Sequence, residues 1–99
     1  MKRPVPMRTK LCARRMGESI SAWRRMLRVS SQELADRVGV SRETISRLEN
    51  GDPSVSLATF VGTCGALGIL DRLEDAVDPY ETDLGRARSD QLLPQRMRK

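Results

Sequence analysis

The chain has 99 residues, with 18 Lys/Arg against 13 Asp/Glu, two cysteines and no histidine. That length allows one domain with tails and a core of modest size. The missing histidine removes the commonest general base and metal ligand, and Cys12 and Cys64 stand in contexts too unlike to form a disulfide frame or a metal site. No nucleophile–base pair, Gly-rich phosphate loop or metal-ligand cluster is found, so neither an enzyme nor a cofactor is expected. No apolar run is long enough to span a membrane and no signal-peptide core follows the basic start, which gives a cytoplasmic, nucleoid-associated location as the expectation. Charge is unevenly spread: residues 1–51 hold 12 Lys/Arg against 5 Asp/Glu, whereas residues 52–95 hold 3 against 8. The basic half suits a polyanionic partner, and the acidic half is left to face something else.

In chain order, residues 1–16 come first, with six Lys/Arg, two prolines and no acid. They carry too little apolar content to fold alone and are expected to be a disordered basic arm. A first helix is predicted from about Gly17 to Arg28, with Ile20, Trp23 and Leu27 facing inward. Trp23 at this spacing is a core residue, and Arg24, Arg25 and Arg28 lie off the apolar face, either solvated or near a polyanion.

Residues 30–51 (SSQELADRVGVSRETISRLENG) carry the most information. Ser30 and Glu33 form a capping box, in which each side chain satisfies the other residue's backbone N–H. Leu34, Ala35 and Val38 recur at helical spacing. Gly39 then lets the chain leave the helix through a left-handed conformation. Ser41 caps a second helix whose stripe is Ile45 and Leu48, and Asn50-Gly51 ends it. A small residue at Ala35, the glycine, and Val40 as an apolar plug allow two helices to meet at so short a corner. This is a helix-turn-helix.

A further helix is predicted after the Ser56 cap, with Leu57, Phe60, Val61, Cys64 and Leu67 on its apolar face and Cys64 a buried thiol. Gly62 and Gly65 weaken it unless another backbone packs close there. Gly68 ends it. A last stripe of Ile69, Leu70, Leu73 and Val77 follows, backed by Asp71, Glu74, Asp75 and Asp78. The expected organisation is an arm over 1–16, a folded domain over 17–78 and a C-terminal tail over 79–99.

From Ile20 to Leu70 the chain resembles the phage-repressor-like, or Xre-type, helix-turn-helix family. The resemblance rests on Leu34-Ala35, Gly39-Val40-Ser41, Thr44-Ile45-Ser46 and Leu48-Glu49-Asn50-Gly51. It implies an all-α, five-helix lambda-repressor-like domain, here with flexible N- and C-terminal tails, whose third helix enters the major groove of DNA. Carried over to this chain, Ser41, Arg42, Glu43 and Thr44 open the recognition helix and Arg47 lies one turn on. Many members place Gln first in the second helix, against a phosphate; this chain has Ser31 there and Gln32 one place later. A serine hydroxyl or a helix N-terminal N–H can make the same contact.

Groove chemistry then assigns roles. Arg42 and Arg47 can each donate two bonds to guanine or clamp a phosphate. Glu43 accepts from cytosine, orients an arginine, or repels wrong sequences. Ser41 and Thr44 suit a phosphate or a thymine methyl, and Asn50 approaches the DNA backbone. The basic arm either follows the backbone into an adjacent groove or is a solvated leader. One such domain reads few base pairs, so a homodimer on two half-sites is expected, joined through Leu70, Leu73, Val77 and the tail.

A narrower resemblance, to HipB-like antitoxins, rests on Gly51-Asp52-Pro53-Ser54-Val55-Ser56-Leu57, on the acidic helix ending at Asp78-Pro79, and on Leu93-Pro94-Gln95-Arg96-Met97-Arg98. It implies an autorepressor bound to operator DNA that also holds a HipA-type kinase toxin. A repressor without a toxin, or an interaction module that kept only the fold, are the alternatives. Arg42 and Arg47 argue against the last, because a fold alone does not require them.

Overall fold

The computed structural model describes residues 3–89, and all its regular secondary structure is helical. The chain divides into two units, Met1–Ile69 and Leu70–Lys99. The first holds α1 (Met7–Met26), α2 (Ser31–Val38), α3 (Arg42–Glu49) and α4 (Leu57–Ala66). The second holds α5 (Leu70–Val77), a 3-10 turn (Pro79–Glu81) and α6 (Asp83–Ala87). Among the described residues no helix is long and apolar enough to cross a membrane.

The first unit is built around Ile20, Val29, Leu34, Ala35, Ile45, Leu48 and Leu67, with Trp23, Val38, Val40, Val55, Phe60, Ala66 and Ile69 packed against them. Three predicted core positions differ: Leu27, Leu57 and Val61. Leu27 is 49% exposed while Val29 is buried. The reason is that α1 stops at Met26, so Leu27 is its C-cap and the first residue to turn inward again is Val29. On α4 the buried face is Phe60, Thr63, Cys64 and Leu67 rather than Leu57 and Val61, which are exposed. Leu57 instead lines an apolar groove of about 220 Å³ with Ala13, Met16, Val55 and Phe60. Gly62 faces a methyl of Val38 at ordinary contact distance, so no neighbouring backbone demands that glycine. Burial raises the Cys64 thiol above its ordinary pKa, as expected of a structural cysteine.

The largest difference is at the N-terminus. Helix α1 begins at Met7, so most of the stretch expected as a disordered arm is helical, and Lys10 N–H closes its first turn on Pro6. Composition alone does not show this, because the stretch is held by backbone packing. A Cβ on Gly17 would stand 2.6 Å from the carbonyl oxygens of both Leu48 and Glu49. A Cβ on Gly51, at φ +79°, would run into the backbone of Arg14 and Ala13. The N-terminal half of α1 is thus seated on the end of α3 through two glycines.

A second tie joins the same elements. Arg24 donates from Nε and Nη2 to the two oxygens of Glu49 at 2.7 and 3.1 Å, and from Nη1 to the Val29 carbonyl at 3.1 Å. Both side chains are largely buried. Arg24 therefore belongs to the scaffold rather than to the solvated arginines among which its place in the sequence puts it.

Helices α1, α3 and α4 end alike, with the N–H of the second residue past the cap reaching back five residues: Val29 to Arg24, Asp52 to Arg47, Ile69 to Cys64. This ending needs one left-handed residue. Gly51 and Gly68 supply it at two ends, and Arg28, at φ 58°, at the third.

In the second unit, residues 79–89 are more ordered than the tail expected there. Asp78 caps the 3-10 turn through Tyr80 N–H, Thr82 caps α6 through Gly85 N–H, and Arg86 donates to the Tyr80 carbonyl and to Asp83. Gly85 lies against the Pro79 carbonyl, where no side chain fits. No residue of α5 is buried.

Both backbone features can be checked by stability. Gly17→Ala should lower the unfolding free energy by about 1–3 kcal/mol in urea titrations, as overpacking against a rigid neighbour does. Arg28→Gly should raise it by roughly 0.5–1 kcal/mol, the left-handed penalty of a side chain less the chain entropy of glycine.

Candidate nucleic-acid interface

The corner between α2 and α3 forms as its sequence requires. Ser30 Oγ accepts from Glu33 N–H at 3.0 Å, and the Glu33 carboxylate accepts from Ser30 N–H at 2.8 Å, which closes the capping box. Gly39 takes φ 85° and Val40 is half-buried against the core. Ser41 Oγ then accepts from Thr44 N–H at 3.1 Å and starts α3. Leu34, Ala35 and Ile45 are fully buried, so α3 is held along its inner side with no slack at the corner.

The other side of α3 presents Arg42, Glu43, Ser46, Arg47 and Asn50, all exposed. These positions recur at i, i+1, i+4, i+5 and i+8, which is one face of a helix. Arg42 and Glu43 stand at its N-terminal end and Arg47 and Asn50 a turn or two further on. The residues the sequence singles out on this helix are therefore brought together on one surface.

Ser41 and Thr44 are partly committed. Their hydroxyls lie 2.9 Å apart, and one proton is used between them, which leaves one hydroxyl proton for an outside acceptor. Ser31 is the first residue of α2 and is half-buried. Gln32 is exposed, and its side-chain amide donates to Asp36 at 2.9 Å, one turn along its own helix. A phosphate contact from Gln32 would compete with that bond. Ser31 has no such bond to give up, which makes it the simpler donor at this end.

Arg47 is tied in a way that its position on the helix does not reveal. Its Nε donates to Asp52 Oδ2 at 2.9 Å and its Nη2 to Ser54 Oγ at 3.0 Å. Ser54 in turn donates to Asp52 Oδ1 from its hydroxyl at 2.7 Å and from its backbone at 2.9 Å. The hydrogen bonds from Ser54, then that from Arg47, hold the Asp52 carboxyl down at about 2, so it is ionised through the ordinary carboxylate range and above. The sequence does hold a signal: Asp-Pro-Ser is a good Asx turn, and it follows the end of a helix that carries an arginine in its last turn. Taken only as a helix stop, it conceals Asp52 and Ser54.

Elsewhere in the first unit, Arg8, Lys10, Arg14, Arg15, Arg25, Arg28 and Arg37 are exposed and add positive charge. Residues 70–89 of the second unit hold six Asp/Glu against three Arg, and the carboxylates of Asp75, Asp78 and Glu81 lie within 4.8 Å of one another. Such exposed acidic groups are common, and no second feature there points to an ion.

A helix-turn-helix family matches residues 20–69, half of the chain and the whole of α2, α3 and α4. No curated protein and no solved structure matches. The family match spans the capped corner and the exposed arginine-bearing face just described. This chain belongs to the Xre, lambda-repressor-like helix-turn-helix family of DNA-binding transcription regulators.

Proposed function

We propose that the protein is a sequence-specific repressor that binds operator DNA as a homodimer in the cytoplasm and regulates its own promoter. The observation that carries this reading is the face of α3, where Arg42, Glu43, Arg47 and Asn50 project from a helix whose inner side is fully buried. A donor held on so rigid a helix, Arg47 above all, favours base reading, because little order has to be gained on binding. Ser31 and Gln32 at the start of α2 and Ser41 and Thr44 at the start of α3 supply short polar groups for phosphates.

The dimer contact is assigned to α5 and the residues after it. Leu70, Leu73 and Val77 form an apolar stripe on a helix with no buried residue, and Val77 is 81% exposed. A second copy is the natural cover for such a stripe in a symmetric reader of two half-sites.

The further role is that of a HipB-like antitoxin that neutralises a HipA-type kinase. It is supported by the 51–57 bridge and by the acidic stretch 70–89, which DNA repels and a protein partner need not. Leu92-Leu93-Pro94 and the rest of that C-terminal motif lie outside the described residues.

The decisive experiment is binding of the purified protein to DNA upstream of its own gene at two salt concentrations. A clear preference over unrelated DNA with steep salt dependence is expected. Binding without preference would refute the operator reading, and failure to bind the neighbouring gene product would refute the antitoxin role alone. Arg47→Ala should cut the preference by roughly ten- to hundredfold while leaving the unfolding curve nearly unchanged, since the side chain is exposed; unchanged operator affinity would remove Arg47 from the reading surface. Val77→Glu should shift the dimer towards monomer in sedimentation equilibrium without loss of helical content.

A further inference from the structure

The loop after α3 folds back on the side chain that the recognition helix presents. Asp52 N–H bonds the Arg47 carbonyl, and the three side chains then close a ring: Arg47 to Asp52, Arg47 to Ser54, and Ser54 to Asp52. Each donor in that ring is determined. The Ser54 hydroxyl gives its proton to Asp52 and accepts from Arg47, so it cannot turn elsewhere without breaking both bonds.

A guanidinium has five N–H donors. The ring uses Nε–H and one proton of Nη2, which is the side edge of the fork. Of the three protons left, one of Nη1 and the second of Nη2 form the end edge, and the other of Nη1 points back towards Cδ. Two parallel donors remain, pointing away from the loop.

Two parallel donors match one base edge best. Guanine offers O6 and N7 side by side as acceptors in the major groove; adenine pairs an acceptor with a donor, cytosine shows a donor, and thymine one acceptor beside a methyl. A phosphate would also accept two bonds, but here it would meet the Asp52 carboxylate at the same time. Arg47 and Asp52 together carry no net charge, which makes the unit a poor attractor of phosphate and leaves its geometry as its value. Fixing the long arginine before binding also removes most of the rotamer entropy that a mobile arginine loses on contact.

We propose that Asp52 and Ser54 are specificity-determining residues, which hold the Arg47 guanidinium for end-on, two-bond reading of a guanine in the major groove. The inference rests on α3 being the reading helix and goes beyond it in placing part of the specificity in the loop. Neither residue needs to touch DNA.

The test starts from a pool of randomised duplexes, from which the wild-type protein selects its own preferred site. Affinities are then measured for that site and for each single-base change in it. The proteins are wild type, Arg47→Ala, Asp52→Ala and Ser54→Ala, each checked for folding by thermal unfolding. Wild type should discriminate against replacement of one guanine by roughly ten- to hundredfold. Arg47→Ala should lose that discrimination at this position alone. Asp52→Ala and Ser54→Ala should lose most of it at the same position, and Asp52→Ala should bind unrelated DNA more tightly because a negative charge has gone. Ser54→Ala is the cleaner variant, since an exposed hydroxyl can be removed without disturbing the helix end.

The proposal is overturned if both loop variants keep the wild-type preference at that guanine. It is overturned as well if Arg47→Ala weakens all sequences equally and lowers the salt slope by about one, the mark of a phosphate contact. A wild-type protein that selects no sequence at all refutes the reading helix itself and the proposal with it.

Discussion

The position of α3, the proposed recognition helix, depends on the two-bond pair between Arg24 and Glu49. Glu49 is the last residue of α3 and Arg24 lies near the end of α1, so the pair joins the helix that reads to the helix that supports. The third arginine donor reaches Val29 in the turn to α2. One side chain therefore holds α1, the α1–α2 turn and the end of α3 in a single arrangement. A pair so far out of water is not a large source of net stability, because the desolvation of two charges offsets most of their attraction. What it supplies is exclusivity. Any shift of α3 along α1 leaves a charge buried without its partner, and that costs far more than the pair contributes.

The glycine contacts work in the same direction by different physics. Gly17 and Gly51 let the backbones of α1 and the end of α3 approach more closely than any side chain permits. The charge pair penalises sliding, and the close backbones penalise lifting away. Together with the capped corner to α2, they leave α3 no low-energy alternative placement, as accurate recognition of bases requires.

Much of this is legible in the sequence, and the dividing line is physical. The Ser30–Glu33 box, the Ser41 and Ser56 caps, the left-handed Gly39 and the Ile45/Leu48 stripe are interactions within four or five residues, and spacing alone reveals each. The helical stretch from Met7 is not legible, because its cause lies far along the chain, at Leu48 to Gly51. Composition marks Met7–Met16 as unable to fold alone, which is a different property from being unfolded in the protein. Leu27 and Val29 exchange places because helix periodicity runs one residue past a helix end that a left-handed arginine, rather than a glycine, has made. Of the candidate interface, the reading residues themselves are visible as an exposed arginine-rich face. Of their supports, Arg24 and Glu49 are not, since that contact depends on which elements meet, and Asp52 and Ser54 are signalled only by the Asx turn of Asp-Pro-Ser.

On the proposed reading, affinity and specificity fall to different residues in this chain. Attraction to a polyanion needs charge and tolerates motion, and the exposed Arg8, Lys10, Arg14, Arg15, Arg25 and Arg37 provide it on flexible stems, most of them along one long helix. Such a field is screened over about 10 Å at moderate salt and carries no sequence information. Reading needs the opposite, a donor with its charge balanced and its motion removed, and Arg47 between Asp52 and Ser54 has both properties. An acid beside a reading arginine looks like a defect if the surface is judged by its charge alone. It becomes intelligible once the arginine is understood to be valuable for where its protons point. By the same logic Arg42, exposed at the helix start and outside the ring that holds Arg47, is better suited to the phosphate than to the base.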